Sequence, residues 1–201
     1  IRDRGRRTRH WYSPPNTNIY CSVVVRGIGP ILTLSEWLSW VPLVSAMAVA
    51  DAVQTTASLS LSLKWPNDLL FQDRKVGGIL CESTHLSSDI PIVVIGIGLN
   101  VNLRTDAFPE DLRQTATSLY EISKVFIDRS SLITQLLLEL ERGLEALRTD
   151  GPDHLRRAYV ARCGTLGRRI RVLLGQDQEL QGTAESIGID GAFDGGEGHA
   201  A

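Results

Sequence analysis

The chain has 201 residues, 43% of them hydrophobic and 22% charged, with a formal net charge of −2. That suffices for one sizeable core and a small appendage, and it is the composition of a soluble globular protein rather than a fibrous, disordered or membrane chain. No apolar run reads as long enough to span a bilayer, the opening Ile1-Arg2-Asp3-Arg4 is no signal peptide, and Cys21, Cys81 and Cys163 are scattered without a Cys-x-x-Cys. A disulfide framework and a zinc site are therefore not expected, and a reducing cytoplasm is the expected setting.

Arg2, Arg4, Arg6, Arg7 and Arg9 crowd the start, followed by Trp11-Tyr12-Ser13-Pro14-Pro15, which reads as an ordered turn leading into a strand. Residues 18–26 are β-branched and apolar between prolines and Gly27, and predict a strand. Apolar residues at 37, 38, 41, 44, 48, 49, 52 and 53 predict a helix over 37–54, with Pro42 in its first turn or at a kink. Strands follow over 59–65, where Pro66 stops the run, over 76–82 and over 90–102. The stretch Asp128 to Ser131 is expected to cap a helix over 132–147 whose apolar face is 132, 133, 136, 137, 140, 144 and 147, and Pro152 opens another to about 161. The fold class is α/β (α+β), a mixed sheet backed by helices. After Gly167 the pattern becomes strand, turn, strand over 169–174 and 180–187, and the glycine-rich acidic tail from Gly191 is expected to be disordered.

The chemistry concentrates in two stretches. Lys64-Trp65-Pro66-Asn67-Asp68 is followed by Arg74-Lys75-Val76-Gly77-Gly78-Ile79. Two ammonium groups, an amide and a carboxylate converging beside a buried strand suggest an anionic substrate, a phosphate or a carboxylate, because buried charge needs a partner. Read without a ligand, Lys75 is a solvated lysine in a polar hairpin loop, Lys64 a surface residue, and Pro-Asn-Asp an ordinary turn. The arginine stretch offers guanidinium forks suited to phosphate, or alternatively a basic arm for nucleic acid. Ile95-Gly96-Ile97-Gly98-Leu99-Asn100-Val101-Asn102 ends a strand in polar groups, and its glycines either bare the backbone for a ligand or admit a neighbouring helix. Trp37, Trp40 and Trp65 read as packing residues, and the four histidines form no cluster.

These three motifs resemble the biotin protein ligases. KWPND with RK-x-x-G-I-L is similar to that family's core, residues 4–14 resemble its loop GRGRRGR-x-W-x-S-P, and GIG-x-N resembles its glycine strand, all in the family's order. The resemblance implies ATP-dependent activation of biotin to biotinyl-5′-AMP and transfer to a lysine of a carrier such as the biotin carboxyl carrier protein of acetyl-CoA carboxylase. It further implies catalytic Lys75 and Arg6. Arg4, Gly5, Arg6, Lys75, Gly78, Gly96 and Gly98 would surround biotin. Arg7, Arg9, Trp11, Lys64, Asn67, Asp68 and Asn100 would take ATP, which travels with Mg²⁺ and needs few protein ligands.

The chain departs from the pattern at Asp3 and Thr8, which stand where the loop has its first and third glycines. Each loses glycine's backbone freedom, and Asp3 adds negative charge. By the resemblance the chain lacks the family's opening helix and strand. It divides into a catalytic domain over 1–166 and an incomplete SH3-like domain over 167–201. Rival readings are a lipoate- or octanoyl-transferring relative and a remnant that binds nucleotide without ligating. Binding of nucleic acid by this chain, and of membranes, is not expected, and exposed sheet edges leave a homodimer open.

Overall fold

The computed structural model describes residues 2–4, 10–12, 14–26, 33–84, 92–174 and 178–197. Two short antiparallel strands come first, β1 (Arg2–Arg4) and β2 (His10–Tyr12), with Asp3 opposite Trp11 and Arg4 opposite His10. Gly5, Arg6, Arg7, Thr8 and Arg9, which carry much of the expected anion-binding loop, lie outside the described residues.

The strand β3 (Ile19–Arg26) leads to the long helix α1 (Leu34–Ala57). Thr33 starts the helix in a capping box, its hydroxyl accepting from the Glu36 N–H while the Glu36 carboxylate accepts the Thr33 N–H at 2.8 Å. Pro42 lies in the helix interior rather than its first turn, so the Leu38 carbonyl loses its usual helical donor. Contrary to the reading of the apolar runs, residues 35–57 do have the length and hydropathy to cross a bilayer. They form instead the core helix, with Trp40, Val41, Val49, Ala52 and Val53 fully buried.

Four strands follow: β4 (Ser62–Lys64), β5 (Asp68–Phe71), β6 (Arg74–Thr84) and β7 (Ile92–Leu99). With β3 they form a five-stranded sheet in the order β3-β7-β6-β5-β4, antiparallel between all neighbours, and two isolated parallel bridges, Leu63 to Cys163 and Lys75 to Ala116, join it to other segments. The strand expected over 59–65 shortens to β4. The polar stretch before Lys75 closes into a two-residue turn, since Gln72 and Asp73 both have positive φ, 48° and 64°, the geometry that suits a tight hairpin.

The helices α2 (Leu119–Ser123), α3 (Arg129–Asp150) and α4 (Asp153–Val160) come next. Asp128 caps α3, accepting from the N–H groups of Ser130 and Ser131. On α3, Leu132, Leu136, Leu140 and Leu147 are buried and α1 is the main packing partner, whereas Leu137, expected on the apolar face, is 44% exposed.

The chain ends in a three-stranded antiparallel sheet of β8 (Arg169–Leu174), β9 (Gln178–Ile187) and β10 (Phe193–Glu197), consistent with the start of an SH3-like barrel. The third strand corrects the expectation of disorder over Phe193–Glu197, while residues 198–201 lie outside the described residues. Gly191 is buried at a φ of 77°, and Phe193 packs on Trp65, so a stretch poor in apolar residues is held by two contacts invisible to composition.

Candidate functional site

The sheet has one face packed under α1 and one open. On the open face each strand gives one residue to a single row: Tyr20 opposite Gly98, Gly98 opposite Gly78, Gly78 opposite Asp68, and Asp68 opposite Lys64. The next row is Ser22, Gly96 and Leu80, and the third is Val24, Val94 and Glu82. Glycines at the crossing points bare the sheet's backbone, and a pocket of about 390 Å³ lies over them. Trp11, Asn67, Lys75, Gly78, Gly96 and Gly98 all line it.

Lys75 reaches this face because of an irregularity. Strict alternation would put residues 75 and 78 on opposite faces, since they differ by three. Between β5 and β6 the register shifts at Leu69/Leu70, with Leu69 opposite Gly77 but Leu70 opposite Lys75. The extra residue turns the lysine over. The strand is strapped there, the Lys75 N–H donating to the Thr115 carbonyl at 2.8 Å and the Thr117 N–H to the Lys75 carbonyl at 2.9 Å. The neighbouring Arg74 guanidinium donates to the Ala116 carbonyl at 2.6 Å, so that arginine anchors the strap and leaves the pocket to the lysine.

The Lys75 ammonium donates to Asp68 Oδ1 at 2.5 Å and stands 5.4 Å from the centre of the Trp11 ring. A Cβ on Gly78 would meet Nζ of Lys75 at 3.2 Å and Oδ1 of Asp68 at 3.3 Å, so glycine there makes room for the ion pair. Trp11 lies over Gly98, whose Cβ would sit 3.1 Å from the indole, and packs edge-on against Tyr20 at 6.2 Å. Asn67 brackets Ile79, its side-chain amide donating to the Ile79 carbonyl at 2.7 Å while its own carbonyl accepts the Ile79 N–H at 2.8 Å. An ammonium with three donors, one of them given to a carboxylate, keeps donors for an anion above a bare backbone floor.

Three expected ligand residues stand outside the pocket lining: Asp68, which touches the site through Lys75, then Lys64 and Asn100. Lys64 is exposed on the edge strand β4, opposite Asp68 but outside the pocket lining. Asn100 is 4% exposed and inside a hydrogen-bond network: its amide donates to the Thr117 carbonyl at 3.0 Å and its backbone N–H to the Val76 carbonyl at 2.8 Å. It pins the end of β7 to the strap beside Lys75, a structural task. The described residues of β1 bring Arg4 opposite His10.

Sequence reasoning missed Tyr20, Ser22, Leu80, Glu82 and Val94, which also line the pocket. Their even spacing on strands was visible, but only strand register sets them beside the glycines. Cys21 lines the pocket too, yet burial pushes its thiol up, and burial raises Cys81 to about 12. Burial thus disfavours the thiolate form that a nucleophile needs at both positions.

The biotin/lipoate A/B protein ligase family profile matches residues 4–100. The chain is 36% identical over 191 residues to the biotin–[acetyl-CoA-carboxylase] ligase of Mycobacterium tuberculosis, covering 94% of this chain and 67% of that one. It is 32% identical over 189 residues to the bifunctional ligase/repressor BirA of Bacillus spizizenii, covering 93% of this chain but 55% of the relative, so it spans about half that protein's length. Among solved structures, the biotin protein ligase of Aquifex aeolicus in complex with biotin and ATP superposes with a TM-score of 0.78 at 30% identity, covering 94% of this chain and 75% of that one.

Proposed function

This chain belongs to the biotin protein ligases of the biotin/lipoate A/B protein ligase family, and we propose that it activates biotin with ATP and loads it onto a carrier-protein lysine. One observation carries the reading: the Lys75 ammonium, steered by Asp68 at 2.5 Å, stands over the floor of Gly78 and Gly98 in the pocket. The Aquifex relative of this fold is described with biotin and ATP bound.

In the first step a biotin carboxylate oxygen attacks the α-phosphorus of ATP, forming a mixed anhydride and expelling pyrophosphate. In the second a carrier lysine amine attacks the acyl carbon, forming an amide and releasing AMP. Both steps build negative charge on a departing phosphate oxygen, pyrophosphate in the first and AMP in the second, so a fixed cation in a partly desolvated pocket lowers both barriers. Lys75 supplies it, and Asp68 holds the ammonium in place while leaving donors free. Trp11 closes the pocket over Gly98, and its flat ring suits stacking on the adenine. The arginines Arg4, Arg6, Arg7 and Arg9 and Gly5 would complete the anion clamp from the loop side. Mg²⁺ would arrive bound to ATP, with Asp68 as the carboxylate beside Lys75 to share it. The carrier would be a biotin carboxyl carrier protein domain, the setting the cytoplasm, and residues 1–166 the catalytic unit beside a smaller C-terminal one.

The test is mass-spectrometric detection of biotinyl-5′-AMP after incubation of the chain with biotin and Mg-ATP. Lys75→Ala is expected to lower adenylate formation ~100-fold or more. It should leave unfolding free energy within about 1 kcal/mol, because the ion pair is partly exposed. Undiminished product in the variant would remove Lys75 from the reaction. A folded chain that makes no product would restrict the ligase activity to longer relatives.

A further inference from the structure

The residue directly before Pro66-Asn67-Asp68 is tied to the C-terminal sheet. The Trp65 indole N–H donates to the Gly191 carbonyl at 2.9 Å, and its ring packs 4.5 Å from that of Phe193 on β10. Its backbone N–H donates to the Thr165 hydroxyl at 3.2 Å. The receiving side is itself fixed. At Gly191 a Cβ would face Leu43 and the Ser39 carbonyl oxygen at 3.4 Å, and its φ of 77° disfavours any side chain. Two residues away, the Ile189 carbonyl accepts the Trp40 indole N–H at 2.6 Å, anchoring the same loop to α1. A second strut joins the sheets, Arg168 to Asp73 in the β5–β6 turn at 2.8 Å.

From Trp65 the chain runs straight into the site. Asn67 is bonded both ways to Ile79, and Asp68 holds Lys75. We propose that the C-terminal sheet is a positioning element for the pocket lysine: through Phe193, Gly191 and Trp65 it sets the 66–68 turn, and so the point at which Asp68 presents Lys75. Trp65 and Phe193 are positioning residues that touch no ligand. The importance of the clamp for catalysis rests on the reading of Lys75 given above, but the clamp itself is a property of the free protein. Without it the turn relaxes, Asp68 leaves its place opposite Gly78, and the ammonium turns toward solvent.

The sequence makes the test clean, because Lys64, Lys75 and Lys124 are its three lysines. Trace labelling of the intact chain with limiting acetic anhydride, followed by peptide mass spectrometry, reads the reactivity of each amine against Lys124. Lys124 is paired with Glu121 on α2, outside the clamp. Phe193→Ala should raise Lys75 labelling about fivefold, the factor matching loss of one hydrogen bond of ordinary net strength. Phe193→Tyr, which keeps the ring, should restore the wild-type ratio. If Phe193→Ala does not fold, Trp65→Phe decides, since it keeps an aromatic ring beside Phe193 while losing the N–H to Gly191 and part of the ring, and a smaller rise of the same sign is expected. An unchanged Lys75 ratio in a folded variant, or all three lysines rising together, would overturn the proposal. Adenylate formation by the wild-type chain, measured in parallel, separates the two ideas. A labelling shift without product keeps the clamp and withdraws ligase activity from this chain, whereas product without a shift sinks the clamp alone.

Discussion

On the helix side of β7, Val93, Ile95, Ile97 and Leu99 are all at most 2% exposed, packed beneath α1. On the other side of the same strand Gly96 and Gly98 leave the backbone open to the pocket, which Val94 also lines. One strand thus serves two requirements by alternation: one face supplies apolar volume, and the two glycines on the other withhold it. The helix side holds the sheet together through burial. The open side can then dispense with side chains, because its stability comes from elsewhere. Function has been placed where packing asks least.

The contrast can be broken at several points. The largest effect belongs to the helix side, where Ile95→Ala should cost about 2–5 kcal/mol in urea unfolding through lost burial and a residual cavity. A cost under ~1 kcal/mol would mean that this face is not the main source of stability. Gly98→Ala tests the open side. The new methyl would press on the Trp11 ring, 3.1 Å away, so binding of an acyl adenylate by calorimetry should weaken ~10-fold, with unfolding changed by less than about 1 kcal/mol. If stability fell instead, the bare backbone would be a packing requirement. Next comes Tyr159, fully buried, whose hydroxyl finds no partner among the described residues. Burial raises its pKa first, and the charges of Cys163 and Asp68 add to that. Removing an unsatisfied hydroxyl should help, so Tyr159→Phe is expected to stabilise by ~1 kcal/mol, and a loss of that size would reveal a hidden partner.

The smallest effect lies away from both faces, at the cap of α3. Asp128 sits below the ordinary carboxylate range because the Ser131 hydroxyl donates to it, followed by the Ser130 and Ser131 N–H groups. A depressed pKa means that the cap's contribution is present above the unfolded value and lost as pH falls through the folded one. The thermal midpoint should therefore fall slightly more between about pH 4 and pH 2 in the wild type than in Asp128→Ala. Parallel acid curves would show that the cap contributes nothing.

The motifs themselves were legible. Trp11, Asn67, Lys75, Gly78, Gly96 and Gly98, separated by up to 87 positions in the chain, converge on one pocket, and each stood in a motif recognisable from residue types and spacing alone. Elements were legible where periodicity was long, as in α1 and α3. They were not where the run was short. The strand β5 has four residues and follows Pro66 closely, and β10 lies in a glycine-rich tail that composition assigned to disorder. In both cases pairing partners, rather than propensity, stabilise the strand.

What the sequence determined by itself was the chemistry on offer and the alternation that buries one side of each strand, because residue type and spacing are local properties. What only the tertiary structure decided was register: the bulge that turns Lys75 onto the open face, the row that brings Tyr20 beside Gly98, and the removal of Asn100 into a buried network. Register is fixed by hydrogen bonds between strands distant in the chain, and one residue of shift exchanges the two faces. The same holds for Trp65, a packing residue by sequence, whose partners Gly191 and Phe193 lie more than 120 positions away.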